Sequence, residues 1–142
     1  MTNLEALRLG MSGGGPRAGW RETIGARIAA VEAGRVTVEV DANARHRHEG
    51  GVVQGGVITQ IADAAMGMAL MTVQPDAMAN VTVELKMNFI RPVVEGMTRA
   101  VGWVVDASGD VLFAEADVFD AGRRLVARGS CSCVPVPQRG WR

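Results

Sequence analysis

The chain has 142 residues, of which 48% are hydrophobic and 21% are charged, a composition typical of a globular protein and unlike that of a disordered one. Its 15 basic and 15 acidic side chains cancel, so no general electrostatic attraction to nucleic acid or to an anionic membrane is expected. A chain of this length forms one domain with a sizeable core.

The first part of the chain carries a short helical pattern, Leu4 to Leu9, and then a glycine-rich stretch that we expect to be flexible. Glu5 and Arg8 interrupt any apolar run, so the pattern is not that of a signal peptide and a cytoplasmic protein is expected. The predicted division is a flexible segment at 1–19, a folded domain at 20–137 and a tail at 138–142.

Two periodicities follow in the chain. The pattern over residues 23–31 is ambiguous, whereas valines alternate with polar residues over 36–40, as in a half-buried strand. From Gly56 to Val73 apolar residues recur at three- and four-residue spacing, which predicts a mostly buried helix. Pro75 ends the helix because proline disfavours helical backbone in the residue before it. This run is too short and too polar for a membrane span.

Strand-like segments follow the helix at residues 81–89, 99–106, 111–119 and 123–134. In the first of them alternation places Thr82 on one face with Glu84 and Lys86. The later turns contain Asp and Gly and are short enough for hairpins, so we expect an antiparallel meander. One long helix packed on one face of such a sheet makes an α+β domain. Because the other face and the edges need cover, we expect a homo-oligomer.

The two cysteines, Cys131 and Cys133, lie two residues apart in a strand-like run. Their side chains therefore point to the same face of the strand, a poor arrangement for a disulfide framework, and no further cysteine completes a metal site. The sequence predicts two small buried side chains in a protein of a reducing compartment.

Gly55 and Gly56 directly precede the predicted helix. Glycines let another group approach the backbone, and the first N–H groups of a helix have no partner within it. With the helix dipole they form a site for a carbonyl oxygen that becomes negative during a reaction. The alternative is a plain glycine loop before a helix.

Asp63 lies in the middle of this mostly apolar helix. A partly buried aspartate in a helix interior is unfavourable unless it is partnered or used. Small and polar residues share its helical face and leave room for a ligand: Gly56, Thr59, Gln60 and Gly67. The alternative is a structural aspartate bonded to a neighbouring strand or loop.

Eight residues of helix separate Gly55 from Asp63, roughly 12 Å at the standard rise. A reacting carbonyl and its attacking water span only a few ångströms. If both groups act on one substrate, they come from different subunits, which predicts a site at a dimer interface.

The run G-x-x-Q-G-G-x-x-x-x-x-x-D, Gly51 to Asp63, resembles the signature of hotdog-fold thioesterases of the phenylacetate-degradation type. The later runs Thr82-Val83-Glu84-Leu85 and Asn88-Phe89-Ile90-Arg91-Pro92 are similar to the second half of that pattern. The similarity extends over about residues 22 to 136. It implies a hotdog fold, in which an antiparallel sheet wraps around a long central helix.

The resemblance also implies residue roles. Asp63 is the general base that activates water, or else the nucleophile that forms a mixed anhydride. The backbone N–H of Gly55 polarises the thioester carbonyl, and Thr82 orients the water or Asp63. Gly56, Gln60 and Gly67 are the candidate substrate-binding residues.

Two further candidate catalytic residues depart from the family pattern. Gln54 replaces a histidine and His48 replaces an asparagine. A glutamine side chain hydrogen-bonds but carries no charge, whereas a histidine titrates near neutral pH. His46 and His48 lack a third ligand at a recognisable spacing, so no metal is predicted. We expect one histidine to point into the site and the other to be solvated.

The leading hypothesis is hydrolysis of acyl-CoA thioesters with small, aromatic or medium-chain acyl groups, without a cofactor, by a homodimer or homotetramer. An acyl-CoA-binding module without turnover is the alternative that Gln54 and His48 motivate. Hotdog hydratase or dehydratase chemistry matches less well, because its usual spacing of His and Glu/Asp is not found around His48 and Asp63. The methionines of the helix either fill the core or line an acyl pocket. Four arginines either bind the phosphates of CoA or are solvated: Arg91, Arg123, Arg124 and Arg128.

Overall fold

The computed structural model describes residues 1–14 and 18–138. Its elements, in chain order, are α1 (Asn3–Met11), α2 (Gly19–Ile24), β1 (Ala26–Glu32), β2 (Arg35–Ala42), α3 (Gly55–Met71), β3 (Met78–Phe89), β4 (Gly96–Asp106), β5 (Leu112–Phe119) and β6 (Leu125–Pro137). The predicted α+β class, a long helix with an antiparallel sheet, is confirmed. Within the described residues, no helix combines the length and apolarity that crossing a bilayer requires.

The sheet has six strands in the order β1-β2-β4-β5-β6-β3, and every pair is antiparallel. The predicted hairpins β4-β5 and β5-β6 are confirmed. The prediction that β3 belongs to the same meander is wrong, because β3 pairs with β6 at the edge of the sheet. The chain between β3 and β4 is no tight turn: it passes the start of α3, where Val53 N donates to Val93 O at 2.7 Å.

The N-terminal segment is tied to the far end of α3. Helix α1 begins with a capping box in which Thr2 Oγ1 accepts from Glu5 N. The buried Asn3 amide donates to the carbonyl oxygens of Met71 and Pro75. Residues 15–17 and 139–142 lie outside the described residues, so the predicted flexible segment, tail and domain bounds stay predictions.

The core lies between α3 and the inner face of the sheet. Gly102 on β4 decides how close the helix comes, since a Cβ there would lie 2.5 Å from the Ala65 carbonyl carbon. Ile61 and Leu70 of α3 are fully buried in this layer, each contributing roughly 1.5–3 kcal/mol of burial free energy. The sheet residues that pack beneath the helix are Val36, Val38, Val40, Ala100, Ala114, Ala116, Val118 and Ala127.

A β-bulge in β3 reverses the alternation of that strand. Thr82 pairs with Cys133, but Glu84 pairs with Ser132, so Val83 is an extra residue between them. Val83 is 60% exposed. The prediction that Thr82 shares a face with Glu84 and Lys86 is wrong, because the extra residue turns Thr82 toward α3 while the other two face away.

The outer face of the sheet holds one deeply buried carboxylate. Glu39 is 2% exposed and pairs with both Arg27 and Arg99, the Arg99 Nε lying 2.6 Å from Glu39 Oε2. The two guanidinium groups satisfy both carboxylate oxygens, which is the condition for tolerating a charge at a buried position.

The approach of α3 to β4 leads to a stability prediction. Gly102→Ala places a methyl group against the Ala65 backbone, which cannot rotate away, and we expect a loss of about 1–3 kcal/mol in the free energy of unfolding. Gly109→Ala is the matched control, because nothing lies within 4 Å of its added Cβ. Urea unfolding followed by circular dichroism measures both, and equal stability of the two variants contradicts the packing account.

Candidate active site

The start of α3 presents unpaired backbone donors. Gln54 is the N-cap in extended conformation, with φ −63° and ψ 133°, and its side chain does not cap the helix. Val57 N donates to Gln54 O at 2.9 Å. Within residues 1–14 and 18–138, the N–H groups of Gly55 and Gly56 have no acceptor. These donors and the positive end of the helix dipole favour an oxygen with negative charge.

A cavity of about 400 Å³ opens at this helix end; we call it the helix-start cavity. Gly55 lies against the ring of Phe89, whose Cζ would be 3.2 Å from an added Cβ. The loop before the helix is held in place by Gln54 N, which donates to His46 O at 2.9 Å. The cavity is lined by Val52, Val53, Gly55, Ile58, Phe89, Ile90, Arg91, Pro92 and Val93.

Asp63 faces a second cavity, of about 340 Å³, which we call the Asp63 cavity. Its carboxylate is partly exposed, and Oδ1 accepts a hydrogen bond of 2.8 Å from Thr82 Oγ1. Among the described residues Oδ2 has no hydrogen-bond partner, so it is free to bind water or substrate. The lining residues are Trp20, Gln60, Asp63, Ala64, Gly67, Met68, Met71, Asn80 and Thr82.

Two lining residues were missed in the sequence. Asn80 donates to Gly67 O at 3.0 Å and to Gln74 Oε1 at 2.9 Å, and it thereby fastens β3 to α3 beside the carboxylate. Trp20 comes from the short helix α2 and forms an apolar wall. A lone tryptophan next to a glycine-rich stretch carries no periodic signal, and Asn80 precedes the recognisable alternation of its strand.

The helix methionines divide between core and cavity. Met66 of α3 is fully buried and belongs to the core. Met68 and Met71 line the Asp63 cavity, and the methionine side chain is flexible enough to fit ligands of different shapes.

The two cavities are separate in the single chain and share no lining residue among those described. Of the predicted substrate-binding residues, Gln60 and Gly67 line the Asp63 cavity, while Gly56 lines neither. Gln54 is exposed, and its side chain lies over Gly56, where an added Cβ would be 2.5 Å from Gln54 Oε1. The structure thus brings Asp63 and Thr82 together and leaves Gly55 at the other cavity.

The two histidines differ in environment. His46 is buried, with Nε2 2.7 Å from Ile24 O, and its Nδ1 accepts from Asn43 N at 3.1 Å. His48 is exposed, and its Nδ1 accepts from Gly50 N at 2.8 Å. Neither lines either cavity of the single chain, so the expected histidine pointing into the site is not found there. The catalytic role of His48 stays a prediction. Within the described residues no group of three side chains suits a metal ion.

The four candidate arginines lie in different environments, and Arg123, in the connection between β5 and β6, lines neither cavity. Arg91 lines the helix-start cavity, and its guanidinium donates to Leu125 O at 2.8 Å. Arg128 pairs with Asp117 at 2.6 Å, and this hydrogen bond and ion pair raise the pKa of Arg128. Arg124 pairs with Asp120, and the hydrogen bond from its backbone N–H lowers the pKa of that carboxyl.

The cysteines are both free and buried, as predicted. They are not isolated from the site, however. Cys133 Sγ lies 3.6 Å from Thr82 Oγ1, and Cys131 Sγ lies 3.8 Å from Cys133 Sγ.

Comparison with known proteins identifies the family of the chain. A family model described as the thioesterase superfamily matches residues 50–127. A Saccharolobus solfataricus protein named as an esterase is 35% identical over 102 residues, 72% of either chain.

Solved structures have the same architecture. A conserved protein from Pseudomonas aeruginosa superimposes with a TM-score of 0.80 at 31% identity, covering 84% of this chain and 95% of its own. The E. coli PaaI protein of the phenylacetic acid degradation operon gives a TM-score of 0.82 at 16% identity, covering 94% of each chain, a likeness of fold alone. The resemblance to hotdog thioesterases is thereby confirmed, and the chain belongs to the thioesterase superfamily.

Proposed function

We propose that this protein hydrolyses acyl-CoA thioesters, with Asp63 as the general base. The observation that carries the proposal is the carboxylate itself: it is partly buried at a cavity wall, Thr82 holds one oxygen, and the other oxygen is free. A carboxylate held in this way keeps a fixed orientation while it accepts a proton from water.

The proposed reaction uses the carboxylate of Asp63 and the backbone N–H of Gly55. A water molecule gives its proton to Asp63 Oδ2 as its oxygen attacks the thioester carbonyl carbon. The carbonyl oxygen gains negative charge in the tetrahedral intermediate, and the N–H of Gly55 stabilises it at the positive end of α3. Collapse of the intermediate breaks the C–S bond and releases the CoA thiolate and the acid. Asp63 then returns the proton to the thiolate.

Two subunits are needed to form one such site. Along α3, Gly55 and Asp63 are roughly 12 Å apart at the standard helical rise, and they open onto different cavities of one chain. We propose a homodimer in which the helix-start cavity of one protomer meets the Asp63 cavity of its partner. Pairing of two dimers into a tetramer is compatible with the same site.

The cavities suit the parts of an acyl-CoA. Trp20, Met68 and Met71 form an apolar wall beside Asp63, which favours small, aromatic or medium-chain acyl groups. Arg91 is the candidate arginine positioned at the helix-start cavity, where it can meet a CoA phosphate. Two free thiols suit a reducing compartment such as the cytoplasm.

An acyl-CoA-binding module without turnover is the second candidate. It is favoured by the uncharged Gln54 at the helix start and by the absence of His48 from the lining of both cavities.

Replacement of Asp63 tests the general base. Asp63→Asn keeps the shape of the side chain but cannot accept the proton, so we expect kcat for acyl-CoA hydrolysis to fall by about 10²- to 10⁴-fold. Thiol release from a panel of acyl-CoAs measures it, with thermal unfolding as the control for folding. Undiminished turnover of the variant refutes the mechanism. A wild type that binds acyl-CoA but releases no thiol supports the binding module instead.

The backbone donor is tested with a pair of variants at Gly55. Proline is compatible with the first position of a helix and lacks the N–H, whereas Gly55→Ala adds a similar Cβ beside Phe89 but keeps the N–H. We expect Gly55→Pro to lose roughly 10²- to 10³-fold in kcat relative to Gly55→Ala. If the two variants have the same kcat, the Gly55 N–H does not stabilise the oxyanion.

Mixed oligomers test the shared site. Each of Asp63→Ala and Gly55→Pro is expected to be inactive alone. A heterodimer isolated with two affinity tags has one intact site, formed by Gly55 of one chain and Asp63 of the other. We expect it to recover about half of the wild-type kcat per dimer, since one of two sites is complete. No recovery in a heterodimer of native stability places both groups of a site in one chain.

A further inference from the structure

The side chains beneath the Asp63–Thr82 pair form a row of hydrogen-bonding groups. Thr82 on β3 faces Cys133 on β6, with 3.6 Å between Oγ1 and Sγ. Cys131 lies two residues along β6, on the same inner face, with its Sγ 3.8 Å from Cys133 Sγ. Both thiols are buried, Cys133 completely. Thr82 lines the Asp63 cavity, whereas neither cysteine does.

The direction of these hydrogen bonds follows from counting protons. A threonine hydroxyl has one proton and two acceptor lone pairs, and an ionised carboxylate only accepts. The 2.8 Å bond to Asp63 Oδ1 therefore uses the proton of Thr82. The oxygen of Thr82 is left to accept, and the thiol of Cys133 is the donor within reach. Cys131 then donates to Cys133 Sγ.

We propose that Cys133 is a positioning residue for the hydrolysis, in that its thiol donates to Thr82 Oγ1 and directs the hydroxyl of Thr82 to Asp63. The inference rests on the proposed role of Asp63 as the base. A hydrogen bond accepted by a hydroxyl oxygen strengthens the bond that the same hydroxyl donates. The stronger bond holds the carboxylate of Asp63 in the orientation in which it accepts a proton from water.

The protonation state of Cys133 decides whether its sulfur donates a hydrogen bond to Thr82 or accepts one from it. The hydrogen bonds with Cys131 and with Thr82 lower the pKa of Cys133, while burial and the charge of Asp63 act against that shift. The bond with Cys133, together with burial, raises the pKa of Cys131. When Cys133 loses its proton as the pH rises through neutral, its sulfur becomes an acceptor and competes with Asp63 for the one proton of Thr82.

The other described side chains around the carboxylate of Asp63 have no titratable group. From α3, β3 and α2, the described residues facing it contribute Gln60, Asn80, Thr82 and Trp20. Cys131 and Cys133 on β6 are therefore the titratable neighbours among the residues that the structure describes.

Kinetics of Cys133 variants over pH 5–9 test the proposal, with an acyl-CoA that the wild type hydrolyses. Cys133→Ala removes the donor, and we expect kcat to fall roughly threefold to tenfold, the value of one hydrogen bond. KM is expected to stay the same, and the fall in kcat that accompanies loss of the Cys133 proton as the pH rises is expected to be absent from this variant. Cys133→Ser restores a donor at the same position, so its kcat at neutral and lower pH should lie near that of the wild type.

A matched control and a double-mutant cycle separate positioning from packing. Cys131→Ala removes a second buried thiol that does not contact Thr82, and we expect its pH profile to differ from that of the wild type less than the profile of Cys133→Ala does. Thr82→Val removes the hydroxyl but keeps the side-chain shape, so adding Cys133→Ala to it should cause no further loss of kcat. Thermal unfolding of each variant reports on the fold, and Cys133→Val replaces Cys133→Ala if the alanine variant does not fold.

Two outcomes overturn the inference: additive losses in the Thr82 and Cys133 double variant, or the same pH profile in Cys133→Ala, Cys131→Ala and wild type. Failure of the proposed function looks different. In that case the wild type releases no thiol, or Asp63→Asn turns over like the wild type whatever residue stands at 133.

Discussion

The close contact between α3 and β4 at Gly102 sets the distance between the helix and the sheet. Because the Ala65 backbone occupies the space where a Cβ of Gly102 would be, the helix lies directly on the sheet with its axis fixed. Two candidate functional features of the helix depend on that position: the N–H groups of Gly55 and Gly56 at its start, and Asp63 near its middle. A helix held farther from the sheet would move Asp63 away from Thr82, and the hydrogen bond between them tolerates little displacement.

The bulge in β3 turns Thr82 toward Asp63. A regular strand would turn Thr82 to the outer face with Glu84 and leave Asp63 without its partner. The extra residue Val83 reverses the alternation between Thr82 and Glu84, so the strand keeps its pairing with β6 and still presents a hydroxyl to the helix. Bulges often lie next to active sites because they re-aim one side chain at small cost to the sheet. The same register brings Cys133 beneath Thr82.

The separation of the two cavities links function to assembly. One chain offers backbone donors at one end of α3 and a carboxylate at another cavity, and neither cavity alone contains both. In the proposed mechanism the substrate contacts both groups across two protomers, which makes association of the subunits part of that proposal. Exposed side chains at the helix-start cavity, Phe89 and Ile90, are consistent with a surface that becomes covered.

The sequence by itself determined the long helix, two of the hairpins and the candidate residues Gly55 and Asp63, because local periodicity, turn residues and an isolated charge in an apolar helix are local signals. It did not determine that β3 pairs with β6 at the edge of the sheet, and alternation alone placed Thr82 on the outer face, whereas the family resemblance associated Thr82 with Asp63. Strand order and bulges depend on long-range pairing, which alternation along one segment does not contain. Trp20 and the link from Cys133 to Thr82 likewise came only from tertiary structure, because each joins elements far apart in the chain. Asn80 was found there too, because its bond to Gly67 depends on how β3 packs against α3.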